Sequence, residues 1–270
     1  MYLLLLFITT VYGFSNYPRI VLLPGYGCNV QDYREIKTTC KENHFELDIV
    51  PIQRQDWLLI GKSLINPLFW KNDMTPELMF DWYLDKAKQT IETSLQENQN
   101  KPIILCGHSA GGWLGRALLG NGTFYKTYCP SEKYVSHLVT LGTPNRVHID
   151  KDLDATRGCL TYINNFYPDA YLKSKIRYIT IGSDVKSVKT HEKGVFNKQK
   201  YILDSYLTVM GKTDKDLLRG DGIVPIDAMH LKDSFQKTYH DVYHFKRPEK
   251  KWYGDREIVQ DWLNMILQIK

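Results

Sequence analysis

A chain of 270 residues, 43% apolar and 24% charged, has the ordinary composition of a globular protein and the length of one domain with one sizeable core. Its net charge of +5 is spread along the sequence, and the densest basic stretch, KRPEKK at residues 246–251, reads as a solvated loop. Nothing in this balance points to a nucleic-acid partner or to an anionic membrane.

The first residues stand apart. YLLLLFITTVY at residues 2–12, followed by Gly13, has the length and composition of a secretory h-region with a cleavage point near Gly13, and it is too short to span a bilayer. The expectation is a signal peptide over residues 1–15, a secreted or secretory-pathway protein, and a single domain over 16–270. Of the five cysteines, Cys106 lies in an apolar run and reads as a buried thiol. Cys28, Cys40, Cys129 and Cys159 could form two disulfides in an oxidising compartment.

RIVLLP at residues 19–24 is an apolar run closed by Pro-Gly and reads as a buried strand. Residues 31–43 have helical character, residues 45–52 read as a second strand, and the aromatic stretch 53–73 reads as an irregular loop. Thr75-Pro76-Glu77 is a helix start, with Thr75 as N-cap and Pro76 at the first helical position. That helix is expected to run to about Gln96 and to bury Leu78, Trp82, Ala87, Ile91 and Leu95. Strands follow at 102–106, 135–141, 176–181 and 238–245, with helices at 110–119 and 258–269. Strands alternating with helices predict an α/β fold with a mostly parallel sheet of about six strands, flanked by helices. Functional residues of such sheets lie beyond the carboxyl ends of the strands.

Gly107-His108-Ser109-Ala110-Gly111 fits the nucleophile-elbow pattern G-x-S-x-G. Chance supplies that bare pattern in about one chain in ten of this length, so its position decides. Here an apolar strand runs directly in and a helical pattern directly out, and the flanking residues are small enough for a strained turn. Ser109 is therefore the candidate nucleophile. His108 shares the residue type of a base but points elsewhere in such a turn. A tetrahedral intermediate needs two backbone N–H donors. The first is expected from Ala110, the second from Tyr26 in Pro24-Gly25-Tyr26-Gly27, with Gly27 as the alternative.

The order Ser, then acid, then His leaves two acids to weigh. Asp184 follows the fifth strand directly. Asp221 sits in Gly220-Asp221-Gly222-Ile223-Val224-Pro225, where glycines and proline would fix one carboxylate in a tight turn, and it is favoured. Residues 185–219 would then be an excursion, a partial lid. Among the histidines, His230 lies in an apolar segment and reads as local packing. His240 and His244 bracket the end of the last strand, and His244 is favoured as base because it sits at the carboxyl end. Their H-x3-H spacing would suit a metal pair, but no third ligand stands at a suitable spacing, so neither a metal nor a cofactor is expected.

CGHSAGGWLGR, LGTPN, GDGIVP, VYH and WYGD, in that order and with PGYG before them, resemble a lipase-like group of α/β-hydrolases from plants and algae, and more distantly the GPI inositol-deacylase-like lipases. The resemblance spans nearly the whole chain. It implies an α/β-hydrolase fold and a serine esterase or lipase, and it supports Ser109, Asp221 and His244, each at its motif position. Two features depart from it. Related plant chains commonly carry a plastid transit region, which makes a plastid the alternative compartment, and the lysine-rich stretch 186–215 has no counterpart. The chemistry expected is hydrolysis of a small-molecule or lipid carboxylic ester by a monomer through an acyl-enzyme. Its rivals are acyl transfer to an alcohol and an inactive binding protein on the same fold. The apolar stretch 57–70 would line an acyl pocket or touch a lipid surface.

Overall fold

Four apolar runs of the chain become the middle of one sheet. In the computed structural model, which describes residues 17–146, 154–185 and 219–269, these are β1 (Arg19–Leu23), β3 (Ile103–His108), β4 (Val135–Leu141) and β5 (Arg177–Asp184). β2 (Glu46–Ile49) and β6 (Phe235–His240) form the edges, giving the order β2-β1-β3-β4-β5-β6 with every pairing parallel. Strands covered on both faces must be apolar on both, which is why these runs read as continuous rather than alternating.

The pleat then sorts the side chains. Val21 and Leu23 of β1 join a core with α3 (Pro76–Glu97), α4 (Ala110–Leu119) and α5 (Cys159–Phe166). Ile20 and Leu22 face the opposite core, with α1 (Arg34–Glu42) and the last helix, α7 (Arg256–Gln268). Two further short helices, α2 (Pro67–Trp70) and α6 (Ile226–Met229), lie in connections.

Four sequence expectations change. Residues 53–73 are not irregular: a 3-10 helix, Arg54–Ile65, leads into α2. The α3 start is as read, with Thr75 Oγ1 accepting from Leu78 N at 3.3 Å. Ala87, Ile91 and Leu95 are buried as expected, but the face differs near the start. Leu78 is exposed and Trp82 only half-buried, while Met79, Phe80, Tyr83 and Leu84 are inside. The non-helical Phe80 (φ −126°, ψ 21°) kinks the first turn and resets the phase. The sixth strand ends at His240, because Asp241 adopts φ 60° and breaks the extended backbone. Val242–Tyr243 (β7) pairs instead with Lys251–Trp252 (β8), so His244 follows a separate two-stranded ribbon and not the main sheet.

The fourth change concerns the cysteines, which are all free. Cys28, Cys40, Cys106 and Cys159 are buried and Cys129 is exposed. Burial pushes the Cys40 thiol up to about 12 and raises Cys28, Cys106 and Cys159 as well, which keeps them protonated and slow in exchange. The signal-peptide segment and residues 186–218, the bulk of the suggested lid, lie outside the described residues. Among the described residues no helix is long and apolar enough to cross a membrane.

Candidate active site

β3 delivers the chain into a turn at Ser109, whose φ of 51° and ψ of −123° put a non-glycine residue in a sparsely populated region. α4 begins at the next residue, Ala110. The turn is held on both sides: Ser109 N–H donates to Leu141 C=O at 2.9 Å, and Gly112 N–H donates to Ser109 C=O at 3.1 Å. Gly111 is required by packing, since a Cβ there would lie 2.1 Å from the Leu23 carbonyl oxygen at the end of β1. The strain is thus maintained by neighbouring strands.

Asp221 and His244, 23 residues apart, meet in the interior. His244 Nδ1 lies 2.7 Å from Asp221 Oδ2, and both side chains are fully buried. Asp221 Oδ1 accepts from Ile223 N–H at 3.0 Å and Val224 N–H at 2.8 Å, as a carboxylate in a tight turn should. Tyr253 Oη–H donates to Oδ2 at 3.0 Å. The backbone repeats the pairing, with His244 N–H donating to Asp221 C=O at 3.0 Å. A carboxylate that accepts this many hydrogen bonds needs no water in an apolar surround. His244 Nε2 is buried and has no hydrogen-bond partner among the described residues, so Ser109 Oγ is not bonded to it here.

The other candidates fall elsewhere. Asp184 is committed to Arg219, whose Nε lies 3.0 Å from both carboxylate oxygens. His230 bridges Thr180 Oγ1 at 3.0 Å and Thr238 Oγ1 at 2.9 Å. His240 is exposed at the end of β6, apart from buried His244. Among the described residues no group of three or more His, Cys, Asp or Glu is placed to hold a metal ion.

Gly25 sits against the nucleophile, where a Cβ would come within 2.9 Å of Ser109 Cβ. That close approach brings the 24–27 turn, with its proposed donor Tyr26, to the elbow. Gly25 N–H donates to Tyr33 Oη at 2.8 Å, and Tyr33 Oη lies 2.9 Å from His108 Nδ1. On its other side, His108 Nε2 lies 3.1 Å from the His244 carbonyl oxygen. A carbonyl can only accept, so Nε2 carries the hydrogen and Tyr33 donates to Nδ1. Full burial, and then the neighbouring His244, hold the His108 pKa well below 6.5 and keep the ring neutral.

Tyr33, Tyr253 and Gly142 are the residues that sequence reasoning did not find. Gly142, in LGTPN, has φ 56°, and a Cβ there would lie 2.6 Å from Asp221 Oδ2 and 3.1 Å from His244 Nδ1. The glycine in that motif is the available signal: it clears the space the acid and base occupy. Beside the elbow, an open cavity of about 540 Å³ is bordered by Tyr26, Tyr33, Arg34, His108, Phe245 and Trp252.

Several solved structures resemble this chain at low sequence identity. The lin2722 gene product of Listeria innocua matches with a TM-score of 0.50 at 11% identity, over 94% of this chain and 96% of that one. A soluble variant of monoglyceride lipase from Saccharomyces cerevisiae matches at 0.48 and 11% identity, over 93% and 87%. A protein from Thermoplasma acidophilum described as a "predicted CIB-like hydrolase" matches at 0.42 and 10%, over 94% and 88%. No curated protein matches. The family described as "PGAP1-like alpha/beta domain" matches residues 16–193, a span that includes Ser109 and ends before Asp221 and His244. The chain therefore belongs to the PGAP1-like alpha/beta domain family.

Proposed function

We propose that this protein is a serine carboxylic-ester hydrolase of the esterase or lipase type, with Ser109 as nucleophile, His244 as base and Asp221 as the orienting acid. The observation that carries the reading is the buried Asp221–His244 pair, joined through His108 to the strained turn at Ser109. The Asp221 carboxylate accepts from Nδ1–H, which fixes the tautomer that leaves Nε2 as an acceptor. Nε2 takes the Ser109 proton as Oγ attacks the ester carbonyl. Negative charge collects on the carbonyl oxygen, where the Ala110 and Tyr26 N–H groups and the N-terminus of α4 stabilise it. Collapse of the intermediate expels the alcohol, which takes the proton from His244. Water then attacks the acyl-enzyme with His244 as base, and release of the acid restores Ser109.

A chain-length series of p-nitrophenyl esters tests this reading, with Ser109→Ala as control. Hydrolysis by the wild type, lower by about a thousandfold or more in the variant, is expected. Equal rates for the two proteins would remove Ser109 from the chemistry. Transfer of the acyl group to added alcohol, in preference to water, would make the protein an acyltransferase.

A further inference from the structure

The connection after β2 lies at the carboxyl end of the sheet, and its surface is unusually apolar. The 3-10 helix Arg54–Ile65 repeats every three residues, so Trp57, Ile60 and Ser63 share the side that faces the core. Three other apolar positions turn outward: Leu58 is 79% exposed, Leu64 48% and Ile65 90%. Trp70 of α2 is 66% exposed, and its indole N–H donates to the Leu64 carbonyl at 2.9 Å, so it lies on the same edge. Single exposed leucines are ordinary, but a joined edge of this kind is not. Lys62 and Lys71 are exposed within residues 57–72, which contain no Asp or Glu; of the two flanking aspartates, Asp56 is paired with Lys86 and Asp73 is exposed. Trp57 ties the edge to the site, through a 5.0 Å ring contact with Tyr26 and a 3.2 Å hydrogen bond from Nε1 to the Cys28 carbonyl.

We infer that this edge docks the protein on the surface of an anionic phospholipid bilayer, with Leu58, Leu64, Ile65 and Trp70 entering among the headgroups and Lys62 and Lys71 meeting their phosphates. Aliphatic side chains, an interfacial tryptophan and flanking cations are what such a surface selects. Docking would set the mouth of the site at headgroup level. That consequence rests on the hydrolase reading, whereas the docking itself does not.

Co-sedimentation of the full chain with phosphatidylcholine vesicles, with and without phosphatidylserine, tests it. The wild type is expected to partition onto the serine-containing vesicles. Leu58→Glu combined with Ile65→Glu should weaken that binding by about tenfold or more, because it removes apolar contact and adds repulsion. Lys62→Glu combined with Lys71→Glu should abolish the preference for phosphatidylserine. Both double variants should hydrolyse dissolved p-nitrophenyl acetate like the wild type. A wild type that stays in the supernatant, or variants that sediment equally well, would overturn the inference. So would a wild-type dimer without vesicle binding that Leu58→Glu with Ile65→Glu converts to monomer, which would give the edge to a second copy. Vesicle binding without ester hydrolysis would leave the surface standing and remove the hydrolase reading.

A second observation stands independently. The geometry assigns Tyr33 and His108 as positioning residues, a buried strut joining the turn that carries Tyr26 to the backbone of the base. It rests on the same hydrolase reading for its effect on rate. The strut has a directional signature, because a Gln at 108 can still donate to the His244 carbonyl and a Leu cannot. His108→Leu is expected to lower kcat about tenfold or more with KM little changed, with His108→Gln recovering most of the loss. Tyr33→Phe, a smaller change, should shift kcat in the same direction. A role confined to stability would lower the melting temperature of all three without separating kcat from KM or Gln from Leu, and that result would overturn the assignment. Nitrogen-15 spectra of the imidazoles provide a readout that needs no activity: a neutral Nε2–H tautomer at His108 through neutral pH is expected, and an Nδ1–H tautomer would refute the strut.

Discussion

At Asp221 one atom changes the chemistry. Asp221→Asn keeps an acceptor for the Ile223 and Val224 N–H groups but turns an amide toward His244 Nδ1. The imidazole is then driven to the Nε2–H tautomer, which cannot take a proton from Ser109. Ester hydrolysis should fall by about three to four orders of magnitude with the fold intact, and circular dichroism beside steady-state kinetics checks both halves. Gly142→Ala acts through space and backbone together. A φ of 56° disfavours a Cβ, and that Cβ would press on Asp221 Oδ2 and Tyr253 Cε2 at 2.6 Å. Loss of activity greater than the loss of melting temperature would explain is expected, and an unimpaired variant would show that the pair has room to move. The tight turn at Ser109 was legible from its motif, and the glycine and proline neighbours of Asp221 marked the tight turn in which its carboxylate meets His244. The links through Tyr33 and His108 were not legible, because they join residues 75 positions apart with no local pattern.

Elements were legible where one physical rule dominates. The four central strands are apolar runs bounded by turn residues, and α4 follows its elbow directly. β6 was misplaced because FQKTYH is a largely exposed edge strand without an apolar signature, while the run that looked like a strand is interrupted at Asp241. The helical connection after β2 was hidden because its period is three and its outward positions are apolar too, so no amphipathic contrast marks it. The start of α3 was visible because capping is local. Thr75→Ala should lower stability by about 1 kcal/mol in urea denaturation, through loss of the hydrogen bond from Leu78 N–H.

For the whole molecule, the two cores on either side of the sheet place all three proposed catalytic residues at one end, although they span positions 109 to 244. Folding itself should carry a pH signature. Burial, as the largest cause in each, lowers the pKa of His108, His137 and His230 below 6.5 in the folded state. The unfolded chain therefore binds protons first as pH falls, so the stability these groups contribute is complete above about 6.5 and is lost below it. Urea midpoints should decline from about pH 6.5 toward pH 5, before the carboxylates titrate, whereas a midpoint rising across that window would contradict the burial of these rings. The central claim is that Ser109 is the activated nucleophile, and a fluorophosphonate probe, which reacts with such a serine, tests it most directly. Mass-spectrometric mapping of the labelled full chain is expected to place the adduct on Ser109 and to show its loss in Asp221→Asn. An adduct on another residue, or none on a folded protein, would contradict it.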